Sequence, residues 1–153
     1  MNTEMTMNTA TTTLSRTPIW FWGAVAFGLL WNAYGVYQFL GTFSNTTESL
    51  MATGMTAQQA EIYLALPGWT TIAFAIGVFG AMIGCILLAL RKSAAVPVLA
   101  TSLAGYIVLF GADTAYGVFA NIPSQLAILS FVVVVAAGLL GVAVLARKRE
   151  ILA

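Results

Sequence analysis

The chain has 153 residues, of which 60% are hydrophobic and only 7% are charged, and its formal net charge at pH 7 is +1. This composition excludes an ordinary soluble domain, and the small net charge gives no basic surface for nucleic acid. The sequence has no histidine and a single cysteine, Cys85, which excludes disulfide frameworks, Cys/His metal sites and a CxxC redox motif. We therefore expect no metal and no cofactor.

The chain begins with a Thr- and Asn-rich segment, 1–18, which we expect to be a disordered cytoplasmic leader. After it come apolar stretches long enough to cross a bilayer, which takes about 20 apolar residues; they are 19–41, 69–90, 97–119 and 125–146. The first is not predicted to be a cleaved signal peptide, because its flank lacks a basic start and its apolar run is too long. A basic tail, 147–153, follows the last stretch. The predicted fold is therefore all-α: a polytopic four-helix transmembrane bundle over 19–146.

Charge predicts the orientation of this bundle. All lysines and arginines fall on one side of the predicted spans, at Arg16, Arg91, Lys92, Arg147, Lys148 and Arg149. The positive-inside rule places that side, and with it both termini, in the cytoplasm of a bacterial inner membrane. The connection 42–68, which carries Glu48 and Glu61, would then be periplasmic.

The connection 42–68 contains one predicted short helix. Thr56 followed by Gln59 is a capping box, and the segment AQQAEIYLAL after it has a helical pattern until Pro67 ends it. We expect this helix to lie on the periplasmic membrane surface. It would either cover the mouth of the bundle or only space the first two spans.

Two segments of the chain resemble each other. AYGVY at 33–37 in the first span matches AYGVF at 115–119 in the third. Either the chain contains two repeated hairpins, related by an axis along the membrane normal, or an apolar sequence with few letters matches by chance. A repeat would place Trp31 opposite Asp113 near the axis. The second and fourth spans would then supply close-packing seams of small residues, at Gly77, Gly80, Gly84, Gly138 and Gly141.

Asp113 is the only acidic or basic residue inside the four predicted spans. A charged side chain in hydrocarbon costs roughly 2.5–3.5 kcal/mol on insertion scales, so such a residue is a candidate functional site by default. It lies about 7 Å from the centre of its span toward the periplasm, at 1.5 Å per residue. The expected periplasm-facing pocket combines it with polar and aromatic side chains of the first and third spans: Trp31, Asn32, Tyr34, Gln38, Tyr106 and Tyr116.

Several chemistries suit this set of residues. A buried carboxyl group can carry a proton, coordinate a cation or donate a hydrogen bond when protonated, and amides beside aromatic rings suit a neutral polyol. Asp and Asn in helix bundles also serve as interhelical contacts worth about 0.6 kcal/mol on average, so Asp113 could instead bond Asn32, Tyr34 or a neighbouring subunit. No nucleophile–base pair accompanies Asp113, and we do not expect an enzyme.

Three segments carry a resemblance to a known group of proteins. They are W-N-x-x-G-x-x-Q at 31–38, Q-x-E-I-Y-x-x-x-P-x-W at 59–69 and A-x-x-G-C-I-L-L-x-L-R-K at 81–92. The chain resembles small bacterial four-helix inner-membrane proteins, mostly uncharacterised, some of which are labelled "sugar transporter". The resemblance spans most of residues 25–120 and implies the fold and a transport-related role, without a substrate. Small multidrug transporters are less similar, because their essential acid lies in the first helix, where this chain has Asn32 and Gln38.

Two functions follow as expectations. The first is solute transport, of a small neutral solute such as a sugar or of a proton, by a homo-oligomer, because four helices alone enclose little space. The second is a non-catalytic accessory or scaffold subunit of a larger membrane complex. Its support is the last span, 125–146, which is apolar on all sides and shows no inward face in the sequence.

Overall fold

The computed structural model describes residues 16–153, so the predicted leader lies outside the described residues as far as residue 15. The described residues form seven α-helices and one 3-10 turn, Thr42–Ser44, and they include no strand. The helices are α1 Ile19–Gly41, α2 Thr47–Ala52, α3 Ala57–Leu64, α4 Gly68–Ala89, α5 Ala95–Ala115, α6 Val118–Asn121 and α7 Pro123–Lys148. Four of them, α1, α4, α5 and α7, are long and apolar enough to cross a membrane. The predicted all-α four-helix membrane bundle is confirmed.

The four long helices form a bundle that is tight on one side and loose on the other. The most extensive contact is between α4 and α5, while α1 packs on α4 and α5 packs on α7. Few residues of α1 and α7 meet, and α1 makes no backbone approach to α5. The helices therefore follow one another around a ring, α1 and α5 lie on opposite corners, and space is left along the α1–α7 side.

Small residues explain the tight side. A Cβ added at Gly77 would lie 2.7 Å from the Tyr106 ring, one at Gly80 would lie 3.0 Å from Ser102, and one at Gly84 would lie 2.5 Å from Leu99. On the facing helix, a Cβ at Gly105 would lie 2.9 Å from the backbone nitrogen of Gly77. These glycines let the two helix backbones approach closely, and the Ser102 hydroxyl donates a hydrogen bond across the seam to the Gly77 carbonyl at 2.6 Å.

The prediction of a second seam on α7 is wrong for this chain. A Cβ at Gly138 or Gly141 would meet no atom within 4 Å, because both residues face outward. The reason is that α7 has a definite inward face after all, which its uniformly apolar sequence conceals. That face consists of Leu129, Ala136, Leu139, Ala143 and Ala146.

The third span ends earlier than predicted. The expected helix 97–119 stops at Ala115, because Gly117 adopts the left-handed conformation with φ +72° and turns the chain into the short helix α6. Helix α7 then starts at Pro123, whose fixed φ suits the first helical position. The other long helices begin and end within two residues of the predicted bounds.

The described basic residues all lie at one end of the bundle, called here the basic end. Residues after α7 fold back there through Glu150, which has a left-handed φ of 57°. Leu152 is buried against a cluster that includes Phe21 and Leu88. Ala153 exchanges backbone hydrogen bonds with the α4–α5 turn, donating to the Arg91 carbonyl and accepting from the Ser93 N–H, both at 2.7 Å. The predicted basic tail therefore covers the basic end, and its first two residues belong to α7.

The opposite end, called here the loop end, is covered by the connection from α1 to α4. The capping box at Thr56 and Gln59 forms as predicted and starts α3. A second capping box, with Thr46 and Ser49, starts the unpredicted helix α2. The Gln59 side chain also donates a 2.7 Å hydrogen bond to the carbonyl of Asn121, next to the start of α7. This bond holds α3 to the far side of the bundle.

Candidate functional site

A cavity of about 1150 Å³, called here the loop-end cavity, lies within the described residues at the loop end. The long helices α1, α4, α5 and α7 and the connection between α1 and α4 all supply wall residues. Its volume is slightly above that of typical small-molecule sites, roughly 300–1,000 Å³. The space exists because few residues of α1 and α7 approach each other while the glycine seam draws α4 and α5 together.

Asp113 lies in the wall of this cavity and is only 2% exposed. It shares the inward face of α5 with Leu109 and Tyr106, four and seven residues earlier. Among the described residues, its Oδ1 atom has no hydrogen-bond partner. A buried carboxylate oxygen is normally paired, so this unpaired atom is the most unusual feature of the site.

Two neighbours of Asp113 were not predicted from the sequence. Gln125, at the start of α7, lines the same cavity as Asp113. Tyr63, on α3, is largely buried, and burial together with the negative charge of Asp113 raises its pKa. The sequence offers one signal for Gln125, which is the only amide in α7. Tyr63 belongs to the short helix that was predicted for the membrane surface. Their approach to Asp113 depends on how α3 and α7 pack.

Asn32 lies in the cavity wall but makes its contacts elsewhere. Its Nδ2 donates to the Gly28 carbonyl at 2.7 Å and to the Cys85 sulfur at 3.4 Å. Within the described part of the chain, neither Asn32 nor Tyr34 donates a hydrogen bond to Asp113. Neither residue therefore bonds Asp113 as an interhelical contact within the chain.

Most other predicted site residues also border the loop-end cavity. Trp31, Tyr34, Gln38 and Tyr106 line it, with Tyr106 buried and Tyr34 56% exposed on the open α1–α7 side. Trp31 faces Phe131 of α7 edge-on, with ring centroids 5.2 Å apart, rather than Asp113 as the repeat would require.

Tyr116 is the exception among the predicted residues. It does not border the cavity, because α5 ends one residue before it, and its ring lies 6.3 Å from that of Trp69. The proposed repeat also pairs Asn32, which is buried, with Thr114, which is exposed. Residues matched by the repeat therefore occupy different environments.

The electrostatics of the two ends differ. Asp113 is 18 residues from the start of α5, or about 27 Å along the helix from the basic end. Among the described residues, the ionisable carboxylates near the loop end are Asp113, Glu48 and Glu61, and no Lys or Arg lies there. Hydrogen bonds with its own backbone and with the Thr46 side chain lower the pKa of Glu48, so this exposed group stays ionised. The loop end is consequently negative.

The described residues include no candidate metal site. In the range 16–153, no three His, Cys, Asp or Glu side chains are grouped so that they could hold a metal ion. Cys85 is a free, fully buried thiol that packs against Asn32 and Gly28.

Comparison with known proteins gives no family. No protein-family model matches this chain, and no curated protein and no solved structure matches it either. Its function is therefore inferred from the residues of the cavity.

Proposed function

We propose that this integral membrane protein binds a small solute in the loop-end cavity and takes part in its transport, with Asp113 as the principal binding residue. One observation carries the proposal. The Asp113 carboxylate is 2% exposed, one of its oxygens has no partner among the described residues, and it lies in the wall of a cavity of about 1150 Å³. A buried charge without a partner destabilises the protein, so its presence in a cavity wall favours a ligand-binding role.

The competing role for Asp113 is a structural contact between helices. A structural carboxylate would bond across to a neighbouring helix with good geometry, since only then is its burial offset. Oδ1 of Asp113 has no partner among the described residues, which argues against a purely structural role. The resemblance to small membrane proteins labelled as sugar transporters adds support for transport.

The positive-inside rule supports one orientation of the site. With the basic end in the cytoplasm of a bacterial inner membrane, the loop-end cavity faces the periplasm. At the basic end the bundle is filled by a buried cluster that includes Phe21, Leu88, Leu99 and Leu152. Passage of a solute would therefore require a rearrangement of the helices or a path formed between copies of the chain.

Purified protein in liposomes tests the proposal. Uptake of labelled solutes and proton flux would be compared for the wild type, Asp113→Asn and Glu61→Gln. Both variants remove one negative charge from the same end, but Glu61 is exposed and does not border the cavity. We expect activity in the wild type and in Glu61→Gln, and at least a tenfold loss in a folded Asp113→Asn protein. Absence of any flux, or equal flux in all three proteins, would contradict transport at Asp113.

A second candidate is an accessory subunit of a larger membrane complex. It is favoured by Gly138 and Gly141, which face outward with no neighbour within 4 Å and could admit another helix. The other argument for this role, that the last span shows no inward face, does not hold, because α7 has one. Purification in mild detergent distinguishes the two: a stoichiometric larger partner that is lost in Gly138→Leu would favour this role over transport.

A further inference from the structure

We infer that the solute of the loop-end cavity is a small organic cation, of the amine or quaternary ammonium type, held by the Asp113 carboxylate and by aromatic rings of the cavity wall. This conclusion rests on the proposed function and names the substrate class of the same site.

Charge is the first argument. No Lys or Arg borders the cavity, and in the range 16–153 every basic side chain lies at the basic end. Glu48 and Glu61, in the connection between α1 and α4, add negative charge at the loop end. A cavity with one sign of charge and low-dielectric walls concentrates ions of the opposite sign, so it attracts cations and repels anions.

Aromatic rings are the second argument. Rings from four different helices border the cavity, at Trp31, Tyr34, Tyr63, Tyr106 and Phe131. The face of an aromatic ring attracts a cation within about 6 Å by roughly 0.5–2 kcal/mol, most strongly when water is excluded. Tyr63 is close enough to Asp113 for its pKa to respond to the charge of that carboxylate. A carboxylate beside aromatic faces is the arrangement that recognises an ammonium group surrounded by methyl or methylene carbons.

A matched pair of probes tests this inference. Choline and its uncharged isostere 3,3-dimethyl-1-butanol have the same shape and hydroxyl group and differ in the nitrogen charge. Isothermal titration at constant salt would measure binding of both, and of glucose, to the detergent-solubilised wild type, to Asp113→Asn and to Glu61→Gln. We expect saturable choline binding to the wild type and to Glu61→Gln, at least tenfold tighter than binding of the isostere, and loss of that preference in Asp113→Asn.

Failure of the cation inference can be distinguished from failure of the proposed solute site. If glucose or the uncharged isostere binds the wild type as tightly as choline, the cation inference is overturned while the solute site stands. If none of the three probes binds saturably, both the inference and the proposed solute site are overturned. Melting curves of each variant show that a lost preference comes from a folded protein.

Discussion

The ring of Tyr106 lies directly over the bare backbone of Gly77, and a Cβ on Gly77 would come within 2.7 Å of the ring atoms Cδ1 and Cε1. Tyr106 also borders the loop-end cavity. The glycine seam between α4 and α5 therefore does more than pack two helices, since it fixes the position of one wall of the candidate site.

Replacement of Gly77 should consequently disturb both stability and the site. We expect Gly77→Ala to lower stability by about 1–3 kcal/mol, the usual range for overpacking a closely packed site. The matched control is Gly138→Ala, where the added methyl group meets nothing within 4 Å and should leave stability nearly unchanged. Thermal unfolding in detergent measures both; equal melting temperatures for the two variants would contradict the seam.

Asp113→Asn should not destabilise the bundle. The substitution keeps the shape of the side chain and removes a buried charge whose Oδ1 has no partner among the described residues. We expect the melting temperature to stay the same or to rise, as is common when a functional but destabilising group is replaced. A fall of several degrees would instead show that the carboxylate holds helices together. Glu61→Gln, an exposed position, controls for the general effect of removing one charge.

The bond from Gln59 to Asn121 should determine how firmly α3 covers the cavity. Gln59→Glu keeps an Oε acceptor for the capping box and replaces the amide donor to the Asn121 carbonyl with a charged oxygen. Loss of one hydrogen bond, about 1 kcal/mol, should raise opening of α3 roughly fivefold. Hydrogen exchange over 57–64 measures this opening. Gln58→Glu adds the same charge at an exposed neighbour and should leave the exchange rates unchanged; equal rates in both variants would show that the bond does not secure α3.

The helices and their order were predictable because the sequence signals that specify them are local. Twenty-residue apolar runs, a capping box and charge at the span ends are properties of consecutive residues, and they located four long helices and α3. The sequence does not predict the end of α5, because Gly117 falls within the repeated motif at 115–119, whereas its left-handed backbone ends the helix. Tyr116 was placed in the pocket for the same reason.

The candidate site was predictable only in part. Asp113 stood out because an acid within an apolar span is anomalous in any fold. Gln125 and Tyr63 were missed because their approach to Asp113 depends on the packing of α7 and α3. The inward face of α7 was equally hidden, since Leu, Val, Ala and Gly occur on all its sides and only tertiary contact distinguishes Leu139 from Gly138.

The most direct test of the central claim is the charge-selective modification of a thiol placed beside Asp113. Gln125→Cys in a Cys85→Ala background gives one thiol in the wall of the same cavity as Asp113. A cationic methanethiosulfonate should react with it at least tenfold faster than an anionic one of similar size, because a unit charge a few ångströms away contributes more than about 1.4 kcal/mol at an effective dielectric of 20. Addition of Asp113→Asn should abolish that difference. Equal rates for the two reagents with Asp113 intact, or no modification by either, would contradict an open, cation-selective cavity at Asp113.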